Sequence, residues 1–163
     1  MKILIIFSIS TAFGLISPVL ANQGIITSVS LSPAGSFEVR SPRIRGAATK
    51  NGDGSLSARQ LRVSVNSLVT GIELRDEHLR DKLKASEYSD IIVSNAQGES
   101  GRGSADLNIA GVQRKIAFTY TERGSVVEVD FHINLRDFSI SGISYMGVGV
   151  RDQVRVKAYV PLR

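Results

Sequence analysis

The densest run of side chains able to do chemistry is Arg75-Asp76-Glu77-His78-Leu79-Arg80-Asp81-Lys82. On a helix most of these charges form a solvated face, with Asp76 and Arg80 paired at i, i+4. Arg75 differs, because it shares a face with Leu79 and Leu83 at i+4 and i+8. That face draws its guanidinium toward the protein's rim, where it can pair with a carboxylate or a ligand oxygen. Elsewhere the chemistry is thin. The chain holds no Cys, which excludes disulfides, thiolate zinc sites, Fe–S clusters and thiol nucleophiles, and only His78 and His132 supply imidazole. His132 stands alone on the polar side of its strand and reads as a surface residue. Asn51-Gly52-Asp53-Gly54-Ser55 has the look of a calcium loop. With Gly54 in the sixth position, however, the end ligands would be Thr49 and Gln60, so a hairpin turn is the better reading. No Gly-x-Ser-x-Gly elbow is present to activate a serine, and no metal site is expected.

The elements that position these residues are read from periodicity. Residues 1–21 carry Lys2, then an apolar stretch from Ile3 to Val19 interrupted by Ser and Pro18, and end in Val19-Leu20-Ala21. This pattern predicts a cleaved signal peptide. The stretch is too short and too rich in Ser, Thr and Gly for a permanent span. The expected mature domain is 22–163, periplasmic or secreted; a Cys-free secreted chain suits a bacterial periplasm. The 163-residue chain carries 20 Lys+Arg against 15 Asp+Glu, a formal charge of +5 that never gathers into a run. No nucleic-acid partner is expected. A general polyanion binder has only that small excess in its favour.

Beyond residue 22 almost every segment alternates. Leu61, Val63 and Val65 face one way and Arg62, Ser64 and Asn66 the other. Val127, Val129, Phe131, Ile133 and Leu135 oppose Glu128, Asp130, His132 and Asn134. Val154-Arg155-Val156-Lys157-Ala158 repeats the pattern, as do Leu107 with Ile109, Ile116 with Phe118 and Tyr120, Ile91 with Val93, and Phe37 with Val39. Gly-containing turns fall between them at Asn51–Gly54, Gln97-Gly98, Ser100–Gly103, Ala110-Gly111 and Arg123-Gly124. One segment breaks the rule. Thr70-Gly71-Ile72-Glu73 fits a capping box, predicting a short helix over 72–85.

Short antiparallel strands with one apolar and one charged face must stack as two sheets or close into a barrel. Strands read as six to eight residues long, and 6% aromatic content, argue against a membrane-spanning barrel, so no stable membrane insertion is expected. The apolar faces then point inward, where medium aliphatics either pack solid or leave room for one small ligand.

Around the helix the sequence resembles a known family. Ser67-Leu68-Val69-Thr70-Gly71-Ile72-Glu73-Leu74-Arg75-Asp76-Glu77-His78-Leu79-Arg80, then Glu87-Tyr88 and Ile91-Ile92-Val93, resembles the signature of the YceI-like lipid-binding family. Ala105–Val112, Ile133–Ile140 and Tyr145–Val154 resemble three further segments of it in order. The resemblance implies an all-β fold, an antiparallel lipocalin-like barrel of about eight strands closed by one short helix. It also implies a non-catalytic carrier, often a homodimer, that needs no cofactor and holds an isoprenoid chain of quinone or polyprenyl type. The expected ligand-binding residues are Phe37, Val39, Leu61, Val63, Val65, Leu107 and Ile109 from the first strands; Ile116, Phe118, Val127, Val129, Phe131, Ile133 and Val156 from the later ones; and Arg75, Leu79 and Leu83 from the helix. The competing reading is a ligand-free structural or interaction barrel with a filled core. An enzyme working on a bound lipid through Arg75, Asp76 and His78 stands behind both.

Overall fold

Alternating segments become antiparallel strands because each can bury one face only against another. The computed structural model describes residues 24–32, 35–145 and 147–163; the signal peptide read over 1–21 lies outside them. In chain order the strands are β1 Gly24–Ser32, β2 Ser36–Ser41, β3 Thr49–Lys50, β4 Leu56–Ser64, β5 Asp90–Glu99, β6 Arg102–Ile109, β7 Val112–Arg123, β8 Val126–Asn134, β9 Ser144–Tyr145 and β10 Val148–Pro161. They form one sheet in the order β2-β1-β10-β8-β7-β6-β5-β4-β3, with β9 added beside β10. Apart from the two-residue β3 and β9, the strands number eight, in keeping with the expected barrel of about eight strands.

The curled sheet meets itself along a seam between the β2 edge and β4. Arg40 and Val69 exchange two backbone hydrogen bonds, N to O 2.8 and 2.9 Å, and Arg45 and Arg62 do the same. Between these points the hydroxyls of Ser41 and Ser67 lie 2.7 Å apart. Asp90 ties the seam from outside, pairing with Arg45 and, at 3.9 Å, with Arg62.

The turns are short because left-handed backbone makes them so. Ser100-Gly101 and Ala110-Gly111 each have two successive positive φ values, 51° and 80°, and 49° and 81°. This is the turn that matches the twist of paired strands. Asn51–Ser55 is a turn as well: Asp53 Oδ1 accepts from the Ser55 N–H at 2.9 Å and from its hydroxyl at 2.6 Å.

Three expectations are corrected. Gln97-Gly98 is not a turn but lies inside β5. The strands are longer than read, up to ten residues in β5, 12 in β7 and 14 in β10, so strand length does not argue against a membrane barrel. The outer wall does: Asp130 with Arg155 and Glu128 with Lys157 place ion pairs where a bilayer-facing wall is apolar. The helix, α1, runs over Glu73–Lys82, shorter than 72–85, and its N-cap position is Ile72, without a side-chain cap. No Thr70–Glu73 capping box forms. Instead Asp76, only 7% exposed, accepts at Oδ1 from the Thr70 N–H at 2.7 Å and the Thr70 hydroxyl at 2.6 Å. Its carboxylate thus serves the turn that enters the helix rather than Arg80.

The inner wall changes parity midway. On β4 the buried residues are Leu56 and Ala58, then Leu61 and Val63. On β5, Asn95 takes a left-handed conformation (φ 52°), and the register with β6 slips between Ser94 and Gln97. This extra residue is a β-bulge. It turns Ile91 and Val93 inward on one side and Ala96 and Gly98 on the other.

Candidate functional site

Eight strands and the helix contribute to the wall of a cavity of about 410 Å³, within the range of pockets that hold one small molecule. Its walls are alternate residues of successive strands: Ile25, Thr27, Val29 and Leu31 of β1, Phe37 and Val39 of β2, Leu61 and Val63 of β4, Ile91 and Val93 of β5, Leu107 and Ile109 of β6, Phe131 and Ile133 of β8, and Val148, Val150, Val154, Val156, Ala158 and Val160 of β10. Helix α1 lies along one side with a stripe of Arg75, His78, Leu79 and Lys82, continued by Leu83 just past its end. These positions are i, i+3, i+4, i+7 and i+8, one helical face. The segment between β8 and β9 contributes Leu135, Ile140 and Ile143, and Ser144 follows at the start of β9. The wall is nearly all hydrocarbon, and among the described residues that line it none is Asp or Glu.

The polar side chains gather at one place. Arg75 lays its guanidinium over the Phe37 ring, 4.2 Å from the centroid, a cation–π contact that keeps it at the cavity's edge. Lys82 Nζ donates to the Ser141 carbonyl at 3.4 Å, tying the helix to the segment facing it. His78 and Lys82 are exposed while they line the cavity, so this edge is its mouth. Beside it the run from Val69 to Leu74 exposes large apolar side chains, Val69 at 44%, Ile72 at 43% and Leu74 at 49%.

Of the residues expected from sequence, the structure brings Phe37, Val39, Leu61, Val63, Arg75, Leu79, Leu83, Leu107, Ile109, Phe131, Ile133 and Val156 to the cavity wall. Five do not reach it. Val65 is 1% exposed in the solid core; a 3-10 turn over Val65–Ser67 ends the alternation at Ser64. Ile116 is half-buried opposite Ala105, packed against the core below the cavity. Phe118, Val127 and Val129 line a second pocket of about 50 Å³ with Leu56, Ala58, Ala96 and Gly98. Val127 and Val129 share an unbroken alternation with Phe131 and Ile133 but lie at another level of the barrel, which alternation does not register.

At that far end two rings replace empty space. A Cβ on Gly98 would sit 2.6 Å from the Tyr120 ring, and one on Gly103 2.4 Å from the Phe118 ring. Phe118 and Tyr120 thus lie over glycines of neighbouring strands and close the barrel floor. Leu61 and Val160 line both pockets and form the partition between them.

The whole of β1 escaped the sequence reading, although Ile25, Thr27, Val29 and Leu31 do alternate. The Ile25-Ile26 doublet and the hydroxyl of Thr27 on the inner face blur the pattern. Ile44, Leu68, Ile140 and Ile143 come from irregular segments and have no periodic signal. His78 and Lys82 did have one, the i+3 and i+7 spacing from Arg75. Outside the barrel, hydrogen bonding and charge from Arg155 hold the Asp130 carboxyl below its ordinary range and raise Arg155 in return.

A family model described as the YceI-like domain matches residues 24–162. No curated protein sequence matches the chain at a significant level. Among solved structures, BcnA of Burkholderia cenocepacia superposes with a TM-score of 0.64 at 16% identity, covering 83% of this chain and 94% of the other. A polyisoprenoid binding domain from Saccharophagus degradans, implicated in plant cell wall breakdown, gives 0.60 at 18% identity, covering 85% and 93%. A YceI protein of Campylobacter jejuni gives 0.53 at 16% identity, covering 77% and 85%. At these identities the three likenesses establish the shared fold.

Proposed function

The chain belongs to the YceI-like domain family, and on that premise we propose that it is a non-catalytic periplasmic carrier for an isoprenoid or other long apolar lipid. The observation that carries the reading is the cavity itself, about 410 Å³ of space walled by aliphatic side chains. An apolar cavity of this kind stays dry and takes up apolar guests. At roughly 30 Å³ for a water-sized group, it has room for on the order of a dozen chain carbons. Burying each contributes about 0.8 kcal/mol, or roughly 10 kcal/mol for the chain before the cost of immobilising it. The similarity to a polyisoprenoid binding domain supports the isoprenoid class, and the signal-like residues 1–21 support the periplasm. The structural-barrel alternative requires a core filled throughout, and the cavity counts against it.

Native mass spectrometry of the purified protein, with organic extraction and mass analysis of what it releases, tests this. A stoichiometric isoprenoid adduct is expected. A clean apo mass, unchanged after incubation with quinones and polyprenyl lipids, overturns it.

A further inference from the structure

We propose that the outer face of the seam is a docking surface for an anionic lipid bilayer, which the protein meets peripherally and reversibly. The inference goes beyond the carrier reading and takes from it only the reason for such a surface, that a buried lipid must be exchanged with a membrane. Two antiparallel bridges lay the surface out. Arg40 stands opposite Val69 and Arg45 opposite Arg62, and residues so paired project their side chains to one side, about 5 Å apart at Cβ. That side is the outer one, because Val39 and Ser41 flank Arg40, and Leu61 and Val63 flank Arg62, with buried side chains. Arg43 is exposed in the chain between the two bridges, and Arg59 is exposed on β4. The ion pairs of these five arginines involve two carboxylates, Glu38 with Arg40 and Asp90 with Arg45 and Arg62. The surface therefore keeps an excess of three positive charges.

Where the seam reaches the helix the surface turns from basic to apolar. Val69, Ile72 and Leu74 expose aliphatic side chains, and Thr70 and Arg75 of the same run line the cavity. Charge and hydrocarbon side by side match one partner. A bilayer containing anionic lipids is negative at its surface, where each Arg or Lys adds about fivefold in affinity, and guanidinium forks fit phosphate oxygens. Aliphatic side chains beside such charges sink below the head groups. A soluble polyanion would engage the arginines and leave Ile72 and Leu74 in water. The outer wall of β8 and β10 has no comparable field, since Asp130 and Glu128 pair with Arg155 and Lys157.

Co-sedimentation of the purified protein with vesicles tests this, using phosphatidylcholine alone or with about one-third phosphatidylglycerol. Binding to the anionic vesicles is expected to be at least about tenfold tighter, and to weaken as salt rises from about 0.05 to about 0.5 M. Arg43→Gln with Arg59→Gln, which leaves the Glu38 and Asp90 pairs in place, should lower that affinity about tenfold. Ile72→Gln with Leu74→Gln should lower it about fivefold or more at any salt concentration. All four positions are exposed, so melting transitions should hold and farnesol affinity in solution should stay within about twofold. Equal binding to the two vesicles overturns the proposal, as does full binding by the arginine variant. Full binding by the Ile72→Gln, Leu74→Gln variant also overturns it and leaves the arginines as a site for soluble polyanions. Farnesol titration of the unaltered protein decides the carrier reading separately: no uptake overturns that reading, while the vesicles alone decide the docking surface.

Discussion

At one end of the barrel the inner wall surrounds about 410 Å³ of space; at the other, β4, β5, β8 and β10 continue with β7 and leave about 50 Å³. Both ends are built by alternation, and both are apolar. They differ in what stands beside the glycines and where the bulge falls. Around the larger cavity the inward positions are mostly medium aliphatics, with the rings of Phe37 and Phe131 among them, and a helix lies along one side. Beyond Asn95 the inward positions of β5 shrink to Ala96 and Gly98, and the rings of Phe118 and Tyr120 take the vacated room. Emptiness is therefore a local product of side-chain size, set strand by strand, and not a general property of a barrel this wide.

The largest way to break the comparison is to remove the partition. Leu61→Ala should join the two pockets and cost about 3 kcal/mol in stability, as large-to-small changes at buried sites do. Denaturant titration should show the loss, and a polyprenol longer than farnesol should gain affinity relative to wild type. Next comes Gly103→Ala, which puts a Cβ 2.4 Å from the Gln97 carbonyl oxygen and equally close to the Phe118 ring. A cost of about 2 kcal/mol is expected, with farnesol affinity unchanged in isothermal titration because the damage sits at the filled end. Val156→Phe tests the open end. The larger side chain occupies the cavity, so farnesol binding should weaken about tenfold while the melting transition stays nearly in place.

The smallest effect belongs to neither end but to the outer wall between them. Asp130 has its carboxyl lowered chiefly by the hydrogen bond from Arg155. A group whose folded value lies below its unfolded one contributes stability above the unfolded value and loses it as pH falls through the folded one. Melting temperatures recorded from neutral pH into the acid range should therefore fall less steeply for Asp130→Asn than for the native chain. The two should converge once the carboxyl is protonated.

How much of this was legible from sequence depends on the part of the molecule. The strands carrying Leu61 and Val63, Leu107 and Ile109, or Phe131 and Ile133 were legible because each has one parity over its length at the open end. Phe118, Val127 and Val129 share that same alternation, yet they line a different pocket. Periodicity gives the face of a residue and not its height along the barrel. The helix stripe was legible at Arg75, Leu79 and Leu83, where spacing alone decides the face. Its start was not, since Asp76 and Glu73 are both acidic and within reach of Thr70, and three-dimensional burial selects Asp76. The change of parity at Asn95 depends on one left-handed residue, which no pattern of apolar positions announces.

The seam gives the barrel a hinge line in time as well as in space. The long ladders, such as β1 with β10, β10 with β8 and β4 with β5, join eight or nine residue pairs each, so opening one bond there leaves many others to be broken. Between β2 and β4, among the described residues, the wall is held by backbone bonds at Arg40–Val69 and Arg45–Arg62, and Pro42, between them, has no amide to give. Amide protons at these positions should exchange with deuterated solvent through small local openings well before those of β6 to β8, whose release requires the whole barrel to come apart.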